Sequence, residues 1–259
     1  MTDRHPIIFV GAGPGDPELI TVKGMKALAQ AEVLLYAGSL VSPAVLTWAP
    51  PEAEQVDTAA LALEEIVTRL IEAHRAGKRV VRVHSGDTSL YSAIQEQLEL
   101  LEKEDIPFQV IPGVTAAMAA AAALAQELTL PEVTQTVILT RAAGRTPVPE
   151  RENLRSLAAH GSTLVIYLST GLLERVAADL AEVYGPEAPV VVAYRVSWPD
   201  EHFIRGTLAD IAAQAKEAGI TRQALILVGP ALAAWEGRLK AKSRLYDRTF
   251  THGWRDAAD

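Results

Sequence analysis

Val83-His84-Ser85-Gly86-Asp87-Thr88-Ser89-Leu90-Tyr91-Ser92-Ala93-Ile94-Gln95-Glu96-Gln97 joins two segments with different apolar periods. Before it, Arg79-Val80-Val81-Arg82-Val83 is rich in β-branched residues and predicts a strand. After it, Leu90, Ile94, Leu98 and Leu101 recur at helical spacing. Between them lie small polar residues and one carboxylate, Asp87. A strand, a short turn and a helix in this order are the unit of an open α/β sheet. Ligands bind there at the loops leaving the carboxyl ends of strands. Asp87, Thr88 or Ser89 would also serve as a helix N-cap. Two more Gly/Pro loops leave strands in the same half of the chain, and three loops on one sheet edge favour a binding site.

Working outward, Ile7-Ile8-Phe9-Val10 is a short strand running into Gly11-Ala12-Gly13-Pro14-Gly15-Asp16-Pro17. Glycine there allows positive φ and close backbone approach, and proline fixes the turn. A helix over 22–30 and a strand, Val33-Leu34-Leu35-Tyr36, follow, ending at Ala37-Gly38-Ser39. After the Trp48-Ala49-Pro50-Pro51 connection, a helix is predicted over 58–76, with Leu63, Ile66, Val67, Leu70 and Ile71 on one face and Gly77 closing it. The helix after the central turn runs to about Glu104, and the strand Phe108-Gln109-Val110-Ile111 stops at Pro112-Gly113-Val114-Thr115. This βαβαβαβ order predicts a mostly parallel sheet. The Ala-rich stretch 115–127 reads as a tightly packed buried helix, and Leu130-Pro131-Glu132 as a junction. Further strands are expected at 137–140, 163–168, 190–194, 202–205 and 225–228, with helices over 152–159, 172–184 and 208–218. Thr207 and Asp210 have capping-box spacing. The expected division is an N-terminal domain over 1–114, a C-terminal domain over 115–240 and a charged tail over 241–259. Lys240, Lys242, Arg244 and Arg248 mark the stretch after Trp235 as a solvated extension.

The 259 residues are 49% apolar, enough for one large core or two ordinary ones. A formal charge of −8 argues against a general nucleic-acid binder, which shows a basic face. It leaves room for an anionic ligand held by a few arginines. With no cysteine, disulfides, thiolate metal sites and cysteine nucleophiles are excluded. The longest apolar stretch, 116–125, is too short to span a bilayer, and the N-terminus lacks a signal-peptide pattern, so the chain reads as soluble and cytoplasmic. His84 and His160 have no ligand partner at i+4, and no metal is expected. Ser85 and Ser89 lack the Gly-x-Ser-x-Gly elbow of a serine hydrolase. The Gly11–Asp16 loop fails the dinucleotide spacing: its third glycine comes early, Pro17 delays the helix, and Tyr36-Ala37-Gly38 brings no ribose-binding acid. In Arg141-Ala142-Ala143-Gly144-Arg145-Thr146-Pro147-Val148-Pro149-Glu150, two arginines flank a loop leaving a strand. Guanidinium groups suit carboxylate or phosphate recognition, and a solvated surface loop is the other reading.

Val10-Gly11-Ala12-Gly13-Pro14-Gly15-Asp16-Pro17, the Ser85-Gly86-Asp87 turn and Pro112-Gly113-Val114-Thr115-Ala116 together resemble the tetrapyrrole methylases, from about Ile7 to Gly229. Tyr36-Ala37-Gly38-Ser39-Leu40-Val41, His84 to Tyr91, and Thr140-Arg141 with Gly144-Arg145-Thr146-Pro147 resemble the members that act on corrin precursors. The uroporphyrinogen members carry Tyr-Asp-x-Leu-Val and a Gly-Gly-Asp turn instead. The resemblance implies two α/β domains of the tetrapyrrole methylase type. It implies a mostly parallel N-terminal sheet, a mixed C-terminal sheet, an active-site cleft between the domains, and a homodimer. It also implies a cofactor, S-adenosylmethionine, held mainly by backbone groups and leaving as S-adenosylhomocysteine. By motif match, Pro14, Ser85, Gly86, Asp87, Leu90, Thr115, Ala116 and Leu168 would line its site, with Ala193 and Tyr194 beside them. The expected partner is a tetrapyrrole, with Arg141 and Arg145 as its candidate anchors and neither nucleic acid nor membrane involved. Ala37 stands where the uroporphyrinogen enzymes have an Asp, so that acid/base role does not transfer and no catalytic residue is assigned. Two alternatives stay open. One is a sister methyltransferase acting on another position, on uroporphyrinogen III, or on a diphthamide or ribosomal RNA target; the other is a non-catalytic tetrapyrrole-binding protein.

Overall fold

The computed structural model describes residues 5–236 and 243–257. By its internal contacts the chain forms two units: Met1–Ala119 with Arg195–Asp200, and Ala120–Tyr194 with Glu201–Asp259.

The first unit is built from β1 (Ile7–Gly11), α1 (Val22–Leu28), β2 (Val33–Tyr36), α2 (Pro43–Leu46), β3 (Glu54–Asp57), α3 (Leu63–Arg75), β4 (Val80–His84), α4 (Gln95–Lys103) and β5 (Phe108–Ile111). Its sheet has the order β3-β2-β4-β1-β5, and every pairing is parallel. Parallel neighbours need crossovers, and the intervening helices supply them. The strands are buried on both faces because alternate residues feed two cores. Val10, Leu34, Val81 and Val83 pack with Leu28 of α1 and Val45 of α2. Ile7, Phe9, Leu35 and Val80 pack with Val67 and Leu70 of α3 and Leu98 and Leu101 of α4. The chain leaving β1 therefore goes to one face and the chain leaving β4 to the other. β1 and β4 are adjacent, so their carboxyl ends form a topological switch point, where an open sheet has its crevice.

The helix α5 (Ala116–Ala123) begins in this unit and ends in the next. The expected tightly packed buried helix is buried along one side, with Ala117 and Ala120 fully covered, while Met118 is exposed. The second unit holds β6 (Val137–Arg141), α6 (Leu154–Ala158), β7 (Thr163–Tyr167), α7 (Leu173–Tyr184), β8 (Pro189–Tyr194), β9 (His202–Thr207), α8 (Ile211–Glu217) and β10 (Ala224–Val228). Its sheet, β6-β7-β10-β8-β9, is mixed: β6 and β7 are parallel, and the other pairs antiparallel. One core, including Leu164, Ile166, Val176, Leu180, Val190, Ile211 and Ile226, fills it.

Three local expectations need correction. β3 was not foreseen; Glu-Gln-Val-Asp is an exposed edge strand with a single β-branched residue, so no apolar pattern announces it. The helix after β4 begins at Gln95, not near Leu90, because Tyr91 and Ala93 take positive φ values of 54° and 47° that break helical geometry. The spacing of Thr207 and Asp210 produces half a capping box: the Asp210 carboxylate accepts from Thr207 N at 2.7 Å, and no reciprocal bond to the Thr207 hydroxyl is made among the described residues. In the tail, Lys240 and Lys242 lie outside the described residues. Residues 243–257 turn back on themselves through Arg255, which donates to the carbonyls of Leu245 at 2.9 Å and Asp247 at 2.6 Å.

Candidate active site

The loops after β1, β4 and β5 meet at the switch point with almost no space between their backbones. A Cβ on Gly11 would lie 2.6 Å from Gly113 N and 2.7 Å from Gly86 O, closer than real side chains come. Gly13 and Gly86, at φ 79° and 62°, exchange two hydrogen bonds of 3.1 and 2.8 Å. Ala12 N donates to His84 O at 2.7 Å, extending the β1–β4 ladder past the end of the strands. Glycine is required here for approach as well as for φ.

Asp87 fastens the third loop. Its Oδ1 accepts from Ser89 N and its Oδ2 from Gly113 N, both at 2.8 Å. It is thus no helix cap, since the helix starts eight residues later. Partial burial pushes its carboxyl up, but the hydrogen bonds from Ser89 and Gly113 outweigh this and hold it below its ordinary value. The loop is braced further by Ser92 Oγ, which donates to Asp87 O at 3.1 Å. Tyr91, in its strained conformation, is 45% exposed. Strain at a non-glycine residue persists only where the surroundings enforce it, and it concentrates at functional loops.

Beneath the loop lies a polar cluster that the sequence pattern conceals inside a strand. Arg82 is 4% exposed and makes no ion pair with a carboxylate among the described residues. Its Nε donates to Gln97 Oε1 at 3.2 Å and an Nη to Thr58 Oγ1 at 3.1 Å. Gln97 in turn donates to Ala93 O at 3.0 Å, and Thr58 to Tyr36 O at 3.0 Å, so one buried cation ties the loop after β4 to the end of β2. Burial lowers the guanidinium to about 10, still cationic at neutral pH. His84, stacked on Phe9 at 6.0 Å, is pushed down to about 3 by burial, with a smaller contribution from Arg82. It is a neutral imidazole, and its Nε2 is buried without a partner among the described residues, as is Thr88 Oγ1. At the end of β2, where Ala37 replaces an acid, a carboxylate does approach from β3: Asp57 Oδ1 accepts from Gly38 N at 3.0 Å and Ala59 N at 2.8 Å. Both bonds shape the turn.

The glycine-rich loop has a second support that sequence reasoning missed. In the Arg195–Asp200 segment, Trp198 Nε1 donates to Pro14 O at 2.9 Å, and Ser197 Oγ accepts from Asp16 N at 2.9 Å. Lying some 180 residues from the loop in sequence, neither gives a local signal.

In the second unit, Leu168 follows β7 at φ 54° and is 66% exposed, an unusual pairing of strain and apolar exposure. The conformation is enforced by Ser169, whose Oγ donates to Tyr167 O and accepts from Ala142 N. Ala193, in β8 between β10 and β9, is 1% exposed. Tyr194, at the strand end, is half-buried. Arg141 and Arg145 divide. Arg141 spends its guanidinium on its own loop, donating to Thr146 O at 3.2 Å and Pro147 O at 2.6 Å. Arg145 is exposed and makes no hydrogen bond or ion pair among the described residues. Arg175 donates to Ala143 O and steadies the loop from α7.

Two Rossmann-like features, a parallel sheet with a switch point and glycine loops closed over its carboxyl edge, place the first unit among α/β ligand-binding domains. The chain belongs to the tetrapyrrole (corrin/porphyrin) methylases, whose family model matches residues 6–212. It is 49% identical to a cobalt-precorrin-4 C(11)-methyltransferase of Methanocaldococcus jannaschii over 98% of both chains. It is 51% identical to a precorrin-4 C(11)-methyltransferase of Pseudomonas aeruginosa, over 96% of this chain and 98% of the relative. Among solved structures, a cobalt precorrin-4 methyltransferase of cobalamin biosynthesis is similar at TM-score 0.85 and 49% identity, covering 88% of this chain and 95% of that one. A uroporphyrin-III C-methyltransferase of Thermus thermophilus, complexed with S-adenosylhomocysteine, is similar at TM-score 0.72 and 28% identity, covering 89% and 100%.

Proposed function

We propose that this protein is the S-adenosylmethionine-dependent methyltransferase that methylates C-11 of precorrin-4 or cobalt-precorrin-4 in cobalamin biosynthesis. The observation that carries the reading is near-full-length identity of about half to relatives of that name, on the same two-sheet fold. The residues we assign to cofactor contact are Pro14, Ser85, Gly86, Asp87, Leu90, Thr115, Ala116, Leu168, Ala193 and Tyr194.

The first unit fits such a cofactor in two respects. The Asp87 carboxylate is taken up by Ser89 and Gly113 and that of Asp16 by Glu18 N, so the ligand meets mainly backbone. The buried Thr88 hydroxyl lacks a hydrogen-bond partner among the described residues. S-adenosylmethionine supplies a methyl group already activated on a sulfonium. The protein's part is to bind, orient and keep water out, and orientation alone contributes roughly 7–11 kcal/mol to a bimolecular barrier. Methylation at C-11 gives a quaternary carbon, so that carbon has no proton to lose, in keeping with Ala37 in place of an acid. Neutral His84 and hydrogen-bonded Asp87 then act by shaping the loop. For the tetrapyrrole, rich in acetate and propionate groups, Arg145 is the carboxylate anchor and Arg141 the clamp that presents it.

The test is incubation with labelled S-adenosylmethionine and each precursor, with mass and NMR analysis of the product. Label at C-11 is expected. Label at another carbon would make the protein a sister enzyme, and ligand binding without transfer would make it a carrier. Calorimetry should show binding of S-adenosylhomocysteine and none of comparable strength for NAD.

A further inference from the structure

The segment Arg195-Val196-Ser197-Trp198-Pro199-Asp200 leaves the hairpin of β8 and β9 and belongs to the first unit. Four features fix its geometry. Trp198 Nε1 donates to Pro14 O at 2.9 Å. Ser197 Oγ accepts from Asp16 N at 2.9 Å. Arg195 lies over the Trp198 ring at 4.2 Å and pairs with Asp200 at 2.6 Å, so the indole is stacked by a cation that is itself anchored. Gly15 lies so close to the indole that any Cβ there would overlap Cδ1 and Nε1. Arg195 and Ser197 adopt positive φ values of 42° and 64°, a strained path that these contacts must enforce.

The contacts of Ser197 and Trp198 outside their own segment fall on Pro14, Gly15 and Asp16, the glycine-rich loop itself. We infer that Ser197 and Trp198 are positioning residues that hold this loop in its ligand-ready form and so set affinity for the methyl donor. The inference rests on the cofactor reading above. The strap occupies Asp16 N and supplies one hydrogen bond to Pro14 O. These contacts fix how the rest of the loop is presented. A loop held in place before binding leaves less ordering to be done when the ligand arrives.

Trp198→Phe keeps a ring against Gly15 but loses the donor to Pro14 O. Loss of one such bond predicts about a fivefold rise in the dissociation constant of S-adenosylhomocysteine and in KM for S-adenosylmethionine. kcat and KM for the tetrapyrrole should stay within about twofold of wild type. Ser197→Ala, which removes the other contact with little change in volume, should act in the same direction. Gly15→Ala, which displaces the indole, should exceed both. In the wild-type protein the Trp198 indole N–H resonance, assigned by its absence in Trp198→Phe, should shift on adding S-adenosylhomocysteine. A Trp198→Phe protein that is less thermally stable but binds S-adenosylhomocysteine as wild type does would overturn the inference. So would an indole resonance that ignores the ligand. Wild-type protein that fails to bind S-adenosylhomocysteine would overturn the cofactor reading as well, and is thereby distinguished from failure of the strap alone.

Discussion

Asp87 and His84 stand three residues apart on one strand end, and their environments push both pKa values down by different routes. Asp87 is stabilised as an anion by two backbone donors from two segments. Asp87→Ala leaves Gly113 N without its partner and unties two of the three loops. We expect a loss of about 1.5–3 kcal/mol in urea unfolding, the range for hydrogen bonds to a charged group, with a more than tenfold fall in methyl transfer. A stable variant with normal turnover would remove Asp87 from the site. His84 is neutral because burial disfavours its charged form, with a folded value of about 3 against 6.5 for the free side chain. The unfolded chain takes up the proton first, so His84's contribution is complete above pH 6.5. It is lost as pH falls towards 3, at up to about 1.4 kcal/mol per pH unit. His84→Phe, which keeps a ring on Phe9, should flatten the stability curve between pH 4.5 and 6.5. Parallel curves for the two proteins would show that the imidazole is not buried in this state.

At the scale of elements, the site depends on backbone packing at Gly11, Gly86 and Gly113. Gly11→Ala should cost at least the 1–3 kcal/mol of an overpacked core, because the obstructing atoms are backbone and cannot swing aside. The urea midpoint reads this directly. For the loop after β6, Arg145→Ala should raise KM for the tetrapyrrole about thirtyfold or more if its guanidinium is desolvated on a substrate carboxylate, with unchanged affinity for S-adenosylhomocysteine. Arg141→Lys should behave like Arg141→Ala, since an ammonium lacks the fork that spans Thr146 O and Pro147 O. Normal KM in Arg145→Ala would leave a solvated loop. The interior strands were legible from sequence because β-branched runs such as Val80-Val81 and Val190-Val191-Val192 advertise burial. The three glycine loops were legible because Gly and Pro mark turns. Edge strand β3 was not, being exposed and charged. Nor was the role of Arg82, whose partners Thr58 and Gln97 are neutral and distant in sequence.

For the molecule as a whole, the charge of −8 sets a problem of encounter. A tetrapyrrole bearing many carboxylates is repelled at long range and attracted only close to its arginines. Salt screens the distant repulsion more strongly than a desolvated contact. KM for the tetrapyrrole should therefore fall as ionic strength rises from about 0.01 M to 0.15 M, while KM for S-adenosylmethionine moves little. A steady rise would mean that local attraction controls capture. The return of Arg195–Asp200 to the first unit also has a consequence in time. A ribosome releases Ala119 well before Asp200, and the intervening stretch of about 80 residues takes roughly 4–16 s to synthesise at 5–20 residues per second. During that interval the first sheet can assemble while its glycine loop still lacks Ser197 and Trp198. A nascent chain stalled before residue 195 should be protected from protease across β1 to β5 and still be cut between Gly13 and Pro17.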